Sequence, residues 1–350
     1  MIYSLFLYFC FVIKSKFKNM KKFLKIIGII LLVIIITGAG LVTYVKTSLP
    51  NVGAAPELKV ERTPERIERG KYIANHVTLC VDCHSTRDWT KFAGPMVDGT
   101  LGRGGETFDQ KFGFPGKFYS RNITPYGIAR YTDGELFRLI TTGVTKEGHP
   151  MFPIMPYTHY GKMDPEDINC IIAYIRSFAP LQNDVPQSEA DFPMNIILNT
   201  IPSKATPGKR PDQSSVKEYG AYLANASACV ECHTKDEHGQ IIQALAYSGG
   251  REFLLPDGSI VRSCNITPDI TSGIGGWTKE TFINRFKVYA DSNYKPPTVV
   301  NGAFNTIMPW HMYAGMTRED LGAIYEYIHS LPAQQNVVVK FTPARDIAKK

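Results

Sequence analysis

The chain has 350 residues, of which 44% are apolar and 20% are charged, with 29 Gly and 23 Pro. This composition is typical of one or two globular domains and excludes disordered, collagen-like and small disulfide-stapled chains. The formal net charge is +7, but seven lysines and no acidic residue lie in residues 1–46, so the remaining chain carries equal numbers of basic and acidic residues. A neutral body lacks the electrostatic footprint of a nucleic-acid-binding protein, and we expect no nucleic-acid partner.

The N-terminal region predicts a single-pass membrane anchor over residues 20–46. Residues 26–45 are uncharged and mostly apolar, a length that matches a hydrocarbon core of about 30 Å. Six lysines precede this run and one follows it, so the positive-inside rule predicts a cytoplasmic N-terminus and a periplasmic body. A cleaved signal peptide is the alternative, with a small-residue site at Val52-Gly53-Ala54, but its apolar region would be unusually long. Residues 1–19 are interpreted as a mis-start or a cytoplasmic extension.

An internal repeat organises the exported part of the chain. Gly70–Asn75 leads into Cys80-Val-Asp-Cys83-His84, and Gly220–Asn225 leads into Cys229-Val-Glu-Cys232-His233. The match continues in three later pairs of segments: Asn122–Pro125 with Asn265–Pro268, Met155–Asp167 with Met308–Asp320, and Ile168–Phe178 with Leu321–Leu331. The repeat predicts two domains, 63–181 and 214–333, with linkers at 47–62 and 182–213 and a tail at 334–350.

Each domain is expected to consist of short helices joined by long loops, without useful strand patterns, which gives an all-α class. Thr63 with Pro64 begins one helix, and the capping box Ser215-x-x-Glu218 begins the equivalent helix. The helix-like runs that end each copy stop before Pro180 and Pro332. The loops between the motifs are too long and too polar to pack around themselves, so a bound group is expected inside them.

The two C-x-x-C-H motifs predict that this group is haem c, attached covalently at two sites. Each cysteine thiol adds to one haem vinyl group, and the adjacent histidine reaches the iron as the proximal ligand. A zinc site built from both cysteine pairs and a thioredoxin-like dithiol are the rival interpretations. Neither requires the histidine. The residues assigned to the two sites by these motifs are Cys80, Cys83 and His84, and Cys229, Cys232 and His233.

The sixth iron ligand is chosen among methionines present in both repeats. Met163 and Met316 precede helix caps and have apolar residues at the fourth helical position, which is the arrangement of a hydrophobic staple. Met155 and Met308 precede proline and an aromatic residue in an irregular loop, and we assign them as the ligands. The competing candidates are Met151, His149 and His159 at the first site, and Met312 and His311 at the second.

These motifs resemble the tandem cytochrome c domains of the bacterial multihaem cytochromes that accept electrons from membrane-bound alcohol and related dehydrogenases. The resemblance covers about residues 63–333 and includes Asn265–Asp269, Thr271–Thr278 and Met308–Trp310. It implies a cytochrome c fold in which the first and last helices cross through Gly70 and Tyr174, and through Gly220 and Tyr327. The sequence departs from that family in having two haem motifs instead of three, and in its N-terminal anchor.

The motifs and the anchor are compatible with two functions. The first is an electron-transfer protein, not an enzyme, that passes single electrons between a dehydrogenase or quinol-oxidising complex and a terminal acceptor, and that takes no small-molecule substrate. The alternative is a dihaem redox enzyme, peroxidase-like or oxidising sulfur compounds, which would need an open iron ligand position and nearby acid and base groups. Cys170 and Cys264 lie outside the motifs and are expected to be buried thiols and not a disulfide. The two Asn-Ile-Thr sequons are interpreted as structural turns.

Overall fold

The computed structural model describes residues 2–347, with the side chains of residues 20–347. The described side chains do not include residues 1–19, which are interpreted above as a mis-start or a cytoplasmic extension. They also do not include the last three residues of the tail. Helix α1 runs over Ile2–Ser48, and its Met20–Ser48 part is long and apolar enough to cross a membrane. A signal sequence near the N-terminus can also meet these two criteria. Residues 1–50 form one unit, and the chain from Asn51 onward forms another.

In the second unit helices outweigh strands, and two copies of a similar helical order follow each other, the first with one additional short helix at Pro125–Ile128. The first copy holds α2 (Pro64–Tyr72), α3 (Cys80–Cys83), α4 (Pro125–Ile128), α5 (Asp133–Thr142), α6 (Tyr157–Tyr160) and α7 (Pro165–Arg176). The connecting helix is α8 (Met194–Ile197). The second copy holds α9 (Val216–Ala226), α10 (Cys229–Cys232), α11 (Lys279–Lys287), α12 (Trp310–Tyr313) and α13 (Arg318–His329), and α14 (Ala344–Ile347) follows.

Short strands accompany the helices, so the expected all-α class is too narrow. The strands are β1 (Thr107–Phe108), β2 (Gly116–Tyr119), β3 (Glu189–Ala190), β4 (Asp236–Glu237), β5 (Gln240–Ile241), β6 (Glu252–Leu254), β7 (Ile260–Arg262) and β8 (Phe341–Thr342). They pair antiparallel as β1-β2-β3, β4-β5 and β6-β7-β8. Because none of these strands exceeds four residues, a period-two pattern could not reveal them.

The first and last helices of each copy cross at a glycine. A Cβ atom at Gly70 would lie 1.9 Å from the carbonyl oxygen of Cys170, and one at Gly220 would lie 1.9 Å from that of Ala323. The first crossing also brings Gly70 close to Tyr174, as expected, whereas the atoms nearest to Gly220 belong to Ala323 and Ile324 and not to Tyr327. Only glycine permits the two backbones to approach this closely.

The helix ends follow most of the sequence signals. The Thr63 hydroxyl accepts a hydrogen bond from the amide of Arg66 at 3.3 Å, and α7 and α13 begin directly after the caps Asp164 and Thr317. The expected capping box at Ser215 does not form, although α9 does begin at the next residue. Ser215 has a backbone ψ of 66°, outside the extended range that directs a cap side chain toward the first turn.

The segments that follow α7 and α13 return to their own repeats. β3 pairs with β2, and β8 pairs with β7, so each three-stranded sheet takes its last strand from residues C-terminal to the final helix. The side-chain amide nitrogen of Asn122 donates to the carbonyl of Leu181, and that of Asn265 donates to the carbonyl of Gln334, both at 2.7 Å. These buried asparagines fix the returning segments, which confirms the structural interpretation of the two sequons.

Candidate haem sites

The two C-x-x-C-H motifs have the same backbone conformation. In each, the cysteines span a single helical turn, α3 or α10, and the amide of the following histidine donates to the carbonyl of the first cysteine at 3.0 Å. The residue before each turn is left-handed although it is not glycine, with φ of 56° at Leu79 and 50° at Ala228. Strained backbone of this kind is found at functional sites. Its presence at the same position twice indicates that it directs the first cysteine.

Both motif histidines are oriented by a backbone carbonyl. The Nδ1 atom of His84 lies 2.6 Å from the carbonyl oxygen of Arg121, and that of His233 lies 2.8 Å from the carbonyl oxygen of Cys264. Since Nδ1 donates to the carbonyl, Nε2 is the unprotonated nitrogen that can bind a metal ion. Burial lowers the pKa of both histidines and therefore favours the neutral ring. The hydrogen bond to the carbonyl acts in the opposite direction and is the smaller effect.

One glycine in each repeat, Gly104 or Gly249, brings the orienting carbonyl to the motif histidine. The sequence motifs do not single out these two glycines. The amide of Gly104 donates to the carbonyl of His84 at 2.8 Å, and the amide of Gly249 donates to that of His233 at 2.7 Å. Both glycines have positive φ, and a Cβ atom on either would lie within 2.6 Å of the carbonyl carbon of Arg121 or Cys264. The signal that could have found them is the Gly-Gly pair downstream of each motif.

The motif thiols do not fit the rival interpretations. All four are free, and burial raises the pKa of Cys83 and Cys229 to about 12. A redox dithiol needs a stabilised thiolate, which lowers this pKa. Among the described residues, no group of three His, Cys, Asp or Glu side chains is placed to hold a metal ion.

The methionine loops also match between repeats. Met155 and Met308 are half-buried, and each lies just before a one-turn helix. The carbonyl oxygen of each methionine accepts a hydrogen bond at 2.8 Å from the amide two residues later in the chain. Met163 and Met316 are only 1% exposed and are packed in the core beside the helix caps. Their burial agrees with the staple role assigned to them.

A buried tyrosine hydroxyl ties each methionine loop to its cysteine motif. Tyr160, in α6, donates to the carbonyl of Thr78 at 2.7 Å, and Tyr313, in α12, donates to the carbonyl of Ser227 at 3.0 Å. Thr78 and Ser227 lie just before the first cysteine of each motif. The loops that carry Met155 and Met308 are therefore held against the cysteine turns.

The competing histidine ligands are engaged elsewhere or exposed. His159 has an oxygen within 2.9 Å of each ring nitrogen, and His311 contacts the carbonyl of Phe92 through Nε2 at 3.1 Å. His149 is exposed. Of the two methionine competitors, Met151 is half-buried and Met312 is buried.

Cys170 and Cys264 are not joined in a disulfide. Both are free; Cys170 is buried at the α2–α7 crossing, whereas Cys264 is only half-buried. The interpretation as buried thiols is thus right for Cys170 and too strong for Cys264. The part of Cys264 that serves the second site is its carbonyl.

Taken together, the donor groups fit haem c. Each site offers two free thiols, an imidazole whose Nδ1 is held by a carbonyl while its Nε2 has no hydrogen-bond partner among the described residues, and a thioether loop fixed beside them. This is the ligand set of a covalently attached haem with histidine and methionine on the iron.

Comparison with known proteins supports this class. Residues 218–332 match the family model "Cytochrome c". The chain is 26% identical over 283 residues to the "Alcohol dehydrogenase (quinone), cytochrome c subunit" of Gluconacetobacter polyoxogenes, which covers 76% of this chain and 56% of the relative. It is 25% identical over 298 residues to the "Gluconate 2-dehydrogenase cytochrome c subunit" of Pantoea cypripedii, covering 81% and 63%.

A third relative is matched over a shorter stretch. It is the "Diheme cytochrome c-type" of Cereibacter sphaeroides, 29% identical over 167 residues, which covers 44% of this chain and 53% of the relative. The chain spans between half and two thirds of the length of these three relatives.

The chain resembles c-type cytochromes, as its motifs predict, and residues 218–332 match that family. The relatives that cover most of the chain are named as cytochrome c subunits of dehydrogenases.

Proposed function

We propose that the chain carries two covalent haems c and transfers single electrons on the outer face of the cytoplasmic membrane, between a dehydrogenase or quinol-oxidising complex and a terminal acceptor. The observation that carries the proposal is the repetition of one complete donor set within one chain. At each site a carbonyl orients the histidine and a tyrosine hydroxyl ties the methionine loop to the cysteine turn.

The roles of the residues follow from this donor set. Cys80 and Cys83 would attach one haem, with His84 and Met155 on its iron; Cys229 and Cys232 would attach the other, with His233 and Met308. The bound haem iron supplies one-electron chemistry. A histidine and a methionine on each iron would leave no ligand position for a substrate. The proposal retains two domains, 63–181 and 214–333.

The number of haems is tested by the intact mass of the membrane-extracted protein, together with a haem stain of a denaturing gel. We expect a mass increment of two haems in the wild type. Cys80→Ser with Cys83→Ser should remove one haem, and Cys229→Ser with Cys232→Ser should remove the other. Cys170→Ser, a free cysteine outside both motifs, is the matched control and should retain both. A wild-type increment of one haem or none contradicts the proposal.

The proposed topology rests on the apolar helix Met20–Ser48 and on the lysines that precede it. The positive-inside rule assigns such a segment a cytoplasmic N-terminus. Protease added to intact spheroplasts should therefore digest the haem-staining body, while a cytoplasmic marker protein stays intact. Full protection of the body, or release of the whole cytochrome by osmotic shock, is the contrary result.

The partner is proposed from the relatives, whose names describe them as cytochrome subunits of dehydrogenases. Purification of the tagged full chain from detergent-solubilised membranes should recover a dehydrogenase or a quinol-oxidising complex. Addition of that complex's substrate should then reduce the haems. Recovery of the chain alone, with no reduction by any dehydrogenase substrate in the membranes, would count against this partner.

A further inference from the structure

The two repeats exchange a matching pair of tyrosine contacts. The Tyr72 hydroxyl in α2 donates to Asp320 at 2.5 Å, and the Tyr222 hydroxyl in α9 donates to Asp167 at 2.7 Å. Each hydroxyl also accepts the cap amide of the other repeat's final helix, at 3.0 Å from Thr317 or 3.2 Å from Asp164. Each repeat therefore fixes the start of the other repeat's last helix, directly after the methionine loop.

The one-turn helices behind the methionines are also held across this contact. The carbonyl of His159 in α6 accepts from the side-chain amide of Asn225 at 3.1 Å, and the carbonyl of the equivalent residue, Met312 in α12, lies 2.9 Å from Nδ1 of His76. Both methionine loops thus depend on a side chain from the opposite repeat.

The symmetry ends at the side chain of His159. This imidazole is buried, with Nδ1 2.9 Å from the side-chain oxygen of Asn225 and Nε2 2.8 Å from a carboxylate oxygen of Glu231. Both ring nitrogens therefore face oxygen atoms of the second repeat. The Asn225 amide is fixed in this orientation because its nitrogen donates to the His159 carbonyl.

The position of Glu231 makes this contact informative. Glu231 lies between the two cysteines of the second motif, whereas His159 lies four residues after Met155 of the first site. In the equivalent place of the first motif, Asp82 pairs with Arg87 of its own repeat at 2.8 Å. The equivalent of His159 is Met312, which has no polar side-chain group to make the reciprocal bond.

We propose that His159 is a positioning residue that anchors the Met155 loop of the first haem site to the Cys-x-x-Cys turn of the second. The first site then takes its sixth ligand from a loop that is held by the second repeat through His159. The Met308 loop is held to the first repeat by other groups: His76 contacts the Met312 carbonyl, His311 contacts the Phe92 carbonyl, and the Asn305 side-chain oxygen accepts the amide of Ala93 at 2.9 Å. The inference rests on the proposed ligation, and it makes the two haem sites depend on each other through different side chains.

The test compares His159→Leu with His329→Leu in the full-length haem protein. His329 is a half-buried histidine of α13 whose ring stacks on Tyr325 within its own repeat, so it controls for the loss of an imidazole. The readouts are the weak far-red band that thioether ligation gives ferric haem, CO binding by the reduced protein, and the potential of each haem. We expect His159→Leu to lose up to half of the band, gain CO binding at one haem and lower the potential of that haem, because methionine ligation raises the potential.

Two milder variants test the same contact if His159→Leu does not accumulate. Glu231→Gln keeps an oxygen acceptor but removes the charge, and Asn225→Ala removes two of the three bonds to His159. Both should weaken the band in the same direction and by less. The double variant Glu231→Gln with His159→Leu should resemble His159→Leu alone, since the two side chains act through one contact.

The outcomes separate this inference from the proposed ligation. A wild type without the far-red band contradicts methionine ligation itself. A wild type with the band, whose amplitude and haem potentials stay unchanged in all three contact variants, contradicts the role of His159 and leaves the ligation intact. An equal loss in His329→Leu would also overturn the inference, because that loss could not come from the contact between the repeats.

Discussion

The two repeats agree in the parts that build a haem site and differ in the parts that join the sites. Both have a left-handed residue before the cysteine turn, a carbonyl at Nδ1 of the motif histidine and a tyrosine that ties the methionine loop to the motif. In the first motif, Asp82 is neutralised within its own repeat. In the second motif, the equivalent Glu231 pairs with Arg251 of its own repeat at 3.6 Å and in addition reaches across to His159.

This difference teaches that sequence repetition and equivalence of environment are separate properties. A duplicated donor set provides two places for the same cofactor. The positions at which the two repeats differ set the surroundings of each haem. Potential is tuned by hydrogen bonds, burial and charge near the ligands. We therefore expect two haems with the same ligands and different potentials, and the following predictions test where the equivalence holds.

The largest expected effect comes from removal of an axial thioether. Met155→Ala and Met308→Ala should each abolish about half of the far-red band and open one iron to CO. Met163→Ala and Met316→Ala, at core positions that are 1% exposed, should keep the band and destabilise the protein by about 3 kcal/mol through a cavity. Absorption spectra and urea unfolding measure the two effects. Loss of the band in the second pair would reverse the ligand assignment.

The helix crossings should respond equally in the two repeats. Gly70→Ala and Gly220→Ala each place a Cβ atom 1.9 Å from a backbone carbonyl oxygen, which only separation of the helices can relieve. We expect each to cost about 3 kcal/mol or more. Gly276→Ala, with no atom within 4 Å of its Cβ position, is the control and should change the free energy of unfolding by less than about 1 kcal/mol. A mild effect at only one crossing would break the equivalence.

Much of this organisation could be predicted because it depends on local spacing. The haem motifs, the methionine loops and the caps Thr63, Asp164 and Thr317 are all short-range patterns, and most of them occur twice. The crossing glycines are implied by the family resemblance. A repeat doubles the evidence for each pattern, and the separation between matched segments orders the elements along the chain.

The missing parts depend on long-range contacts. The strands β3 and β8 pair with residues about 70 to 80 positions earlier, and two-residue strands carry no periodic signal. The bond between His159 and Glu231 joins the two repeats across 72 positions. No local pattern could indicate that a histidine near one haem motif serves the other, which is why the sequence suggests His159 only as a rival ligand.

A smaller effect should distinguish the N-termini of the first helices of the two repeats, α2 and α9. Thr63 makes its cap hydrogen bond, whereas Ser215 at the equivalent helix makes none. Thr63→Ala should therefore cost about 1 kcal/mol of unfolding free energy, and Ser215→Ala should stay within about 0.5 kcal/mol. Thermal and urea unfolding of the two variants in the same buffer measure this difference. Equal losses would mean that the capping box at Ser215 forms in solution.

The smallest expected effect is a pH dependence that belongs to one repeat only. His76 in the first repeat corresponds to Ala226 in the second, and it contacts the carbonyl of Met312 through Nδ1. Burial lowers the pKa of His76 below its ordinary value, and the nearby cations Lys287 and Lys71 act in the same direction, against the effect of the Met312 carbonyl. The unfolded chain therefore binds a proton at a higher pH than the folded chain does.

The free energy of unfolding therefore rises with pH between the folded pKa of His76 and its unfolded pKa of about 6.5. Above the unfolded pKa the stabilisation that comes from the neutral His76 is fully present. Acidification from about pH 7 to about pH 5 should destabilise the wild type more than His76→Asn, by a slope of at most about 1.4 kcal/mol per pH unit for one proton. His238→Asn, at an exposed histidine of the second repeat, is the control and should keep the wild-type slope. Urea unfolding at pH steps of about 0.5 gives the slopes. If the His76 variant keeps the wild-type slope, protonation of this histidine does not oppose the contact between the repeats, and the acid sensitivity of the protein must lie in groups that the repeats share.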